Sequence, residues 1–214
     1  MEQQLPFDIM EKAAKGIGYI AHPLRLRILE YLDVFGASSV SSIAKAMNEE
    51  QVIISQQLKK LRDADLVKTS RHGVFVYYDI YEEYPASIFK CLRKLFGYMT
   101  DNFYFLQDGY KAVLPRDYTT MAAERIKLFA HVEKMRILEF LLLYGKNNVT
   151  DIAAGIGLEA LKVSQFLKKM KEDDFVLAQK DGRFVFYTIQ NGIAKTALMC
   201  IRRRYLTLTD KSLF

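Results

Sequence analysis

The strongest constraint on this chain is that it repeats itself. Residues 21–80 and residues 130–189 align without a gap. His22 falls on His131, Gly36 on Gly145 and Gly73 on Gly182. Self-similarity at a fixed spacing dictates the architecture before any local propensity does, and two copies are too few for a solenoid. The chain therefore reads as a tandem pair of similar domains, and its 214 residues suit two domains of about 100 each. The match extends outward: Ala13, Ala14 and Ile17 fall on Ala122, Ala123 and Ile126, Cys91 on Cys200, and Arg93 on Arg202. The expected division is a first domain over 1–96, an ordered connector over 97–115 that is rich in Tyr and Phe, and a second domain over 116–214.

Within each copy the elements follow from spacing and punctuation. Residues 7–20 and about 116–129 predict an opening helix, the first loosened by Gly16 and Gly18 because glycine weakens a helix interior. Pro23 suits a first helical position, and Gly36 and Gly145 suit the residue after a helix end. Leu24, Ile28, Leu32 and Phe35 predict the buried stripe of this second helix, and Met135, Leu138, Leu141 and Leu142 that of its copy. Ser41 and Thr150 are expected N-caps. Short helices over 42–47 and 151–156 lead through turns at Asn48-Glu49 and Gly157-Leu158 into longer helices over about 50–63 and 159–172. That order is the helix-turn-helix pattern. Ile54, Leu58 and Leu61 face inward in one long helix, and Val163, Leu167 and Met170 in the other. Apolar-polar alternation around His72-Gly73 and Asp181-Gly182 predicts a hairpin behind each motif, which makes a wing. A last helix closes each copy, over about 85–104 and 193–206. The fold class is mainly α with small β-hairpin wings.

At this point a family resemblance becomes specific. AHPLRLRILEYL, SSIAKAM, ISQQLKKLRDADLV and a glycine-turned hairpin resemble the ArsR/SmtB-type winged-helix transcriptional regulators. Ile54 to Val67 follows the family's recognition-helix pattern closely, and Val163 to Val176 more loosely. The resemblance implies a dimer interface built from the first and last helices, a recognition helix in the major groove, and a wing near the backbone or minor groove. Members are usually single-domain homodimers, so this chain looks like two winged helix-turn-helix domains in tandem forming a covalent, intramolecular pseudo-dimer. Two-fold-related reading heads sit about 34–36 Å apart, one DNA turn. Two differing helices would then favour two unlike half-sites.

The candidate DNA-binding residues follow. The first copy offers Val52, Ile53, Ser55, Gln56, Gln57, Lys59 and Lys60, and the second Leu161, Lys162, Ser164, Gln165, Phe166, Lys168 and Lys169. Glutamine pairs bidentately with adenine and serine bonds either base class. Lysines bind phosphate and set the salt dependence. The wings add Arg71 and His72, then Lys180 and Arg183. Against this, Val52, Ile53, Leu161 and Phe166 are apolar where the family has polar groups, and clustered exposed apolar side chains mark protein contacts. Glu49, Glu50, Glu172, Asp173 and Asp174 would repel phosphate. The net charge of +6 with a pI near 9.1 leans toward polyanions, though where the charge lies matters more. The function expected is a DNA-binding transcriptional regulator with double-stranded DNA as partner. The alternative is a tandem winged-helix scaffold for protein–protein contacts.

Other chemistry is sparse. Metal-responsive relatives use a Cys-x-Cys pair near the short helix or Asp/His clusters in the last helix; this sequence has neither, so no metal and no cofactor are expected. Cys91 and Cys200 stand at equivalent places and would be the pair for a thiol switch, with two small buried hydrophobes as the favoured reading. His22 and His131, just before a helix, read as capping or packing groups rather than ligands. Arg202, Arg203, Arg204 and Tyr205 read as a solvated helix end ahead of a contact to the DNA backbone. No phosphate loop or nucleophile–base set points to an enzyme. No apolar run spans a membrane, and MEQQLPFDIMEKAAK lacks a secretory pattern. A cytoplasmic protein is expected, with further homo-oligomerisation left open.

Overall fold

A computed structural model describes residues 3–81, 116–190 and 192–211. The last helix expected in the first copy, the connector, Cys91 and Arg93 lie outside the described residues. The chain divides into two compact units. The first comprises Lys15–Ala130, and the second Met1–Ala14 with His131–Phe214. This partition differs from the division at 1–96, 97–115 and 116–214 expected from the repeat.

Both units are built on the same order of elements. In the first, α2 (Pro23–Phe35) leads to β1 (Ser38–Ser39), α3 (Val40–Met47), α4 (Gln51–Asp63), β2 (Val67–His72) and β3 (Phe75–Ile80). Helix α1 (Phe7–Ile20) is divided between the units after Ala14, its last residues from Lys15 preceding these elements, and α5 (Arg116–Ile126) with a 3-10 turn (Lys127–Ala130) completes the first unit. In the second, α6 (Val132–Tyr144) leads to β4 (Asn147–Asn148), α7 (Val149–Ile156), α8 (Ala160–Glu172), β5 (Val176–Asp181), β6 (Phe184–Ile189) and α9 (Ile193–Lys211).

Local chemistry sets the boundaries. Pro23 opens α2, and Gly36, at φ 70°, closes it by donating its N–H to the Leu32 carbonyl. Gly145 does the same for α6 at φ 71°, through Leu141. His22 and His131 occupy the N-cap positions, but their side chains make no cap hydrogen bond. The caps of the short helices sit two residues earlier than expected. Ser39 Oγ accepts the Ser42 N–H at 3.2 Å, and Asn148 Oδ1 the Asp151 N–H at 3.0 Å. The reason is a strand missed in the sequence. Ser38 and Ser39 pair with Tyr78 and Tyr77, and Asn147 and Asn148 with Tyr187 and Phe186. Each cap is the last extended residue of that strand, which is where an N-cap belongs. The sheets are antiparallel, ordered β1-β3-β2 and β4-β6-β5.

The tight turns fall where the sequence places them. Asn48 and Gly157 take left-handed conformations, at φ 54° and 64°, which lets Glu49 N–H reach the Ala44 carbonyl and Leu158 N–H that of Ala153. In the wings, His72 and Asp181 still belong to the ladder, opposite Phe75 and Phe184. The two-residue loops are therefore Gly73-Val74 and Gly182-Arg183, one position beyond the expected dipeptides.

The first core gathers Leu26, Ile28, Leu29 and Leu32 of α2, Ile43 and Met47 of α3, Ile54, Leu58 and Leu61 of α4, and Tyr78 of β3. Burying one such aliphatic side chain stabilises by about 1.5–3 kcal/mol. The stripe expected on α2 is corrected: Leu26 and Leu29 are buried in place of Leu24 and Phe35, the latter being 57% exposed beside Tyr31. In α6 the buried set is Met135, Ile137, Leu138, Phe140 and Leu141, and Leu142 is only half-buried.

The opening helices are grouped crosswise. Helix α5 buries Thr119, Ala122, Ala123 and Ile126 and packs against α2. In the second unit, Leu5 is buried and donates its N–H to Glu139 Oε1 of α6 at 3.0 Å, and Phe7 lies under the Arg136 guanidinium. Glu139 is buried and also accepts from Arg202 Nη1 of α9 at 2.6 Å. Arg202 reaches the Gln3 carbonyl as well, at 3.1 Å. It is an anchor of α9, which corrects its reading as a solvated helix end.

Candidate nucleic-acid interface

The exposed side of α4 is narrower than the sequence suggests. Val52, Ser55, Gln56, Lys59 and Lys60 are exposed and Ile53 is half-buried. Gln57 lies between Ile54 and Leu58 on the inner face and is 9% exposed. Its Oε1 accepts from Arg25 Nη1 of α2 at 3.4 Å. Gln57 thus leaves the reading face, which is Val52, Ser55, Gln56 and Lys59, the i, i+3, i+4 and i+7 positions of one helix surface. Lys59 and Lys60 make no ion pair among the described residues. Lys60 lies in the last turn with Arg62, where cations suit the helix dipole.

Helix α8 presents Leu161, Lys162, Ser164, Gln165, Lys168 and Lys169 to solvent. Two of its lysines are already matched. Lys162 is ion-paired with Glu133 of α6. Lys169 reaches Asp173 at 3.1 Å and Glu172 at 3.7 Å. The hydrogen bond to Asp173 raises the Lys169 pKa above its ordinary value, and the Asp173 charge adds to this. Phe166, the counterpart of Gln57, is half-buried with the ammonium groups of Lys134 and Lys162 5.7 and 5.8 Å from its ring centre. Lys168 is unpaired among the described residues.

Behind each long helix the wing carries further cations. Arg71 and His72 are exposed at the end of β2, and His72 meets the edge of Tyr77 with ring centres 5.5 Å apart. Lys180 is exposed on β5, and Arg183 in the turn lies over Phe184 at 4.9 Å. The acids at the start of α4 are partly met: Glu49 is 3.8 Å from Arg116.

The remaining candidates separate from this surface. Cys91 lies outside the described residues. Cys200, on α9, is half-buried and disulfide-bonded, so it is not the small buried free thiol expected. No group of three His, Cys, Asp or Glu that could hold a metal occurs among the described residues. No described helix is long and apolar enough to cross a membrane. Sequence reasoning missed Arg25 and Lys15. Arg25 donates to the Tyr19 carbonyl and, at 3.5 Å, to that of Gly18. The only signal was the pair of arginines in LRLRIL, which reads as a charged helix flank.

A short helix, a left-handed turn, a longer helix with an exposed polar face and a three-stranded wing define a winged helix-turn-helix protein. The family model for "Bacterial regulatory protein, arsR family" matches residues 22–69, from the N-cap of α2 into β2. Nodulation protein NolR of Rhizobium meliloti is 33% identical over 102 residues, which is 46% of this chain and 83% of that protein. Transcriptional repressor PagR of Bacillus anthracis is 28% identical over 95 residues, 44% of this chain and 95% of that one. The crystal structure of the AntR antimony-specific transcriptional repressor is 19% identical with a TM-score of 0.43, covering 50% of this chain and 94% of that one. The chain belongs to the ArsR family and is a transcriptional regulator of that family.

Proposed function

We propose that this regulator is a DNA-binding repressor that acts as a single-chain pseudo-dimer. Helix α4 enters the major groove and reads bases with Ser55 and Gln56, while Lys59 and Lys60 neutralise phosphates and the wing residues Arg71 and His72 bear on the adjacent backbone. Helix α8, with Ser164, Gln165 and Lys168, reads a second and unlike half-site. The observation that carries this reading is the exposed Ser-Gln-x-x-Lys face of α4, whose lysines no described acid neutralises. The test is selection of bound duplexes from random DNA, followed by salt titration of the best one. Two different half-sites about one helical turn apart are expected; binding that stays weak and sequence-blind at physiological salt would reject the reading. One observation favours protein contacts instead: Val52, Leu161 and Val74 are 64%, 71% and 91% exposed. On that account their replacement by serine abolishes partner binding and leaves any DNA affinity unchanged.

A further inference from the structure

Beside α4 in the first unit lies an open pocket of about 330 Å³, lined by Lys15, Gly18, Tyr19, Arg25 and Lys60. Its three cations come from three elements: Lys15 from α1, Arg25 from the first turn of α2, and Lys60 from the last turn of α4. Arg25 is held in place by neutral acceptors, the carbonyls of Tyr19 and Gly18 and the amide oxygen of Gln57. None of the three cations has a carboxylate in ion-pair range among the described residues. The neighbourhood registers this excess. Burial first, then the charges of Arg25, Lys60 and Lys127, push the His22 pKa below its ordinary value. A converging set of cations without a counter-charge is a site built for an anion.

We propose that this pocket seats one phosphodiester of the DNA strand that borders the bases read by α4. The proposal rests on the DNA-reading function given above. Lys60 stands one turn beyond Gln56 on the same helix, so a groove edge lying along the reading face passes the pocket mouth. An arginine fork fits two phosphate oxygens, and the lysines act as point charges beside it. The open shape favours a phosphate carried on a polymer. A free small ligand is ordinarily enclosed over most of its surface. The second unit does not repeat the seat. The counterparts of Arg25 and Lys60 are Lys134, held over Phe166, and Lys169, paired with Asp173. The phosphate clamp therefore makes the first unit the stronger half of the regulator.

The test uses the full chain and the duplex recovered by selection. Each phosphate flanking the first half-site is replaced in turn by a neutral methylphosphonate, and affinity is measured over a range of salt for the wild type and for Lys15→Gln with Lys60→Gln. Both lysines are exposed, and circular dichroism checks that the variant folds. One methylphosphonate position is expected to weaken the wild type about tenfold and to leave the variant indifferent. The variant's salt slope should fall by about 0.9, the contribution of the one phosphate that the pocket neutralises. An unchanged slope, or a variant as sensitive as the wild type at every position, overturns the seat while leaving DNA reading intact. Failure of the wild type to bind any selected duplex overturns both. Inorganic phosphate at millimolar concentration that moves the His22 imidazole signals of the wild type but not of the variant, with an unchanged DNA slope, overturns the DNA seat in favour of a free anion.

Discussion

The two long helices share a fold and a motif, yet they offer different surfaces. In α4 the slot that faces α2 holds Gln57 against Arg25. In α8 the same slot holds Phe166 beneath Lys134 and Lys162. Ile53 of α4 becomes Lys162 of α8 and Leu24 of α2 becomes Glu133 of α6, so two apolar side chains are exchanged for the two members of an ion pair. Lys60 faces a pocket without a described acid, whereas Lys169 is met by Asp173. Counting lysines would rank α8 at least equal to α4. Counting the charge left for a polyanion ranks it lower. The lesson is that the electrostatic footprint is set by neighbours on other elements, which a repeat alignment compares only pair by pair.

The largest expected effect separates the units by stability. Glu139 and Arg202 form a buried pair in the second unit, with side chains 3% and 13% exposed. Removing one partner leaves a buried charge, so Glu139→Ala should cost about 3–5 kcal/mol, read as loss of one urea transition while the first unit persists. Replacing the pair together, Glu139→Leu with Arg202→Met, should recover most of it. A single mutant that unfolds with the wild-type midpoint would break the distinction. Next is Gly155 of α7, where an added Cβ would lie 2.0 Å from the Phe140 ring. The counterparts in the first unit are Ala46 and Tyr31, so that unit already tolerates a methyl there. Gly155→Ala should therefore destabilise, by about 1–3 kcal/mol through overpacking, despite alanine's better helix propensity. A rise in thermal midpoint would show that Phe140 simply swings away.

Much of this architecture was legible in the residues, and the exceptions have physical causes. Pro23, Gly36, Asn48 and Gly157 mark boundaries because each imposes a backbone conformation of its own. The two-residue strands at Ser38–Ser39 and Asn147–Asn148 were not legible, since their pairing is decided by β3 and β6, far along the chain. Missing them displaced both N-caps. The grouping of α5 with α2 was hidden for a different reason. Ala122, Ala123 and Ile126 announce an apolar face, but two similar motifs could accept it. For the candidate site, Ser55, Gln56, Lys59 and Lys60 stand exposed as read, while Gln57 does not. A polar residue between two inward leucine-class positions is pulled inside when an arginine waits there to receive it.

A smaller effect sharpens the contrast at the reading helices. Lys59→Ala should weaken DNA binding across all sequences and lower the salt slope by about 0.9, because no described acid shares that lysine. Lys162→Ala and Lys169→Ala should change the slope less, since Glu133 and Asp173 already take up those charges. The converse is the sharper experiment. Glu133→Gln with Asp173→Asn frees both lysines and should steepen the slope toward that of a protein with two matched reading heads. Equal slopes for all of these proteins would mean that α8 never nears the duplex.

The smallest effect is a divergence in acid response. His22, in the first unit, has its pKa lowered by burial and then by the cations around it. A depressed pKa means that the neutral form belongs to the folded state. The stability it contributes is present above the ordinary histidine value, about 6.5, and is lost as pH falls through the folded value. Glu139, in the second unit, has its pKa raised, chiefly by burial and against the pull of Leu5 N–H and Arg202. Its contribution has the opposite sign: it is fully present below the ordinary carboxylate range and is lost as pH rises through the folded value. Mild acidification should thus loosen the first unit before it affects the second. Amide exchange resolved by residue, followed from neutral pH to about pH 5, would read the two separately. His22→Asn should flatten the response of α2 and α4 alone. If α6 and α8 lose protection together with them, the two units unfold as one body and their acid responses cannot be assigned to these side chains.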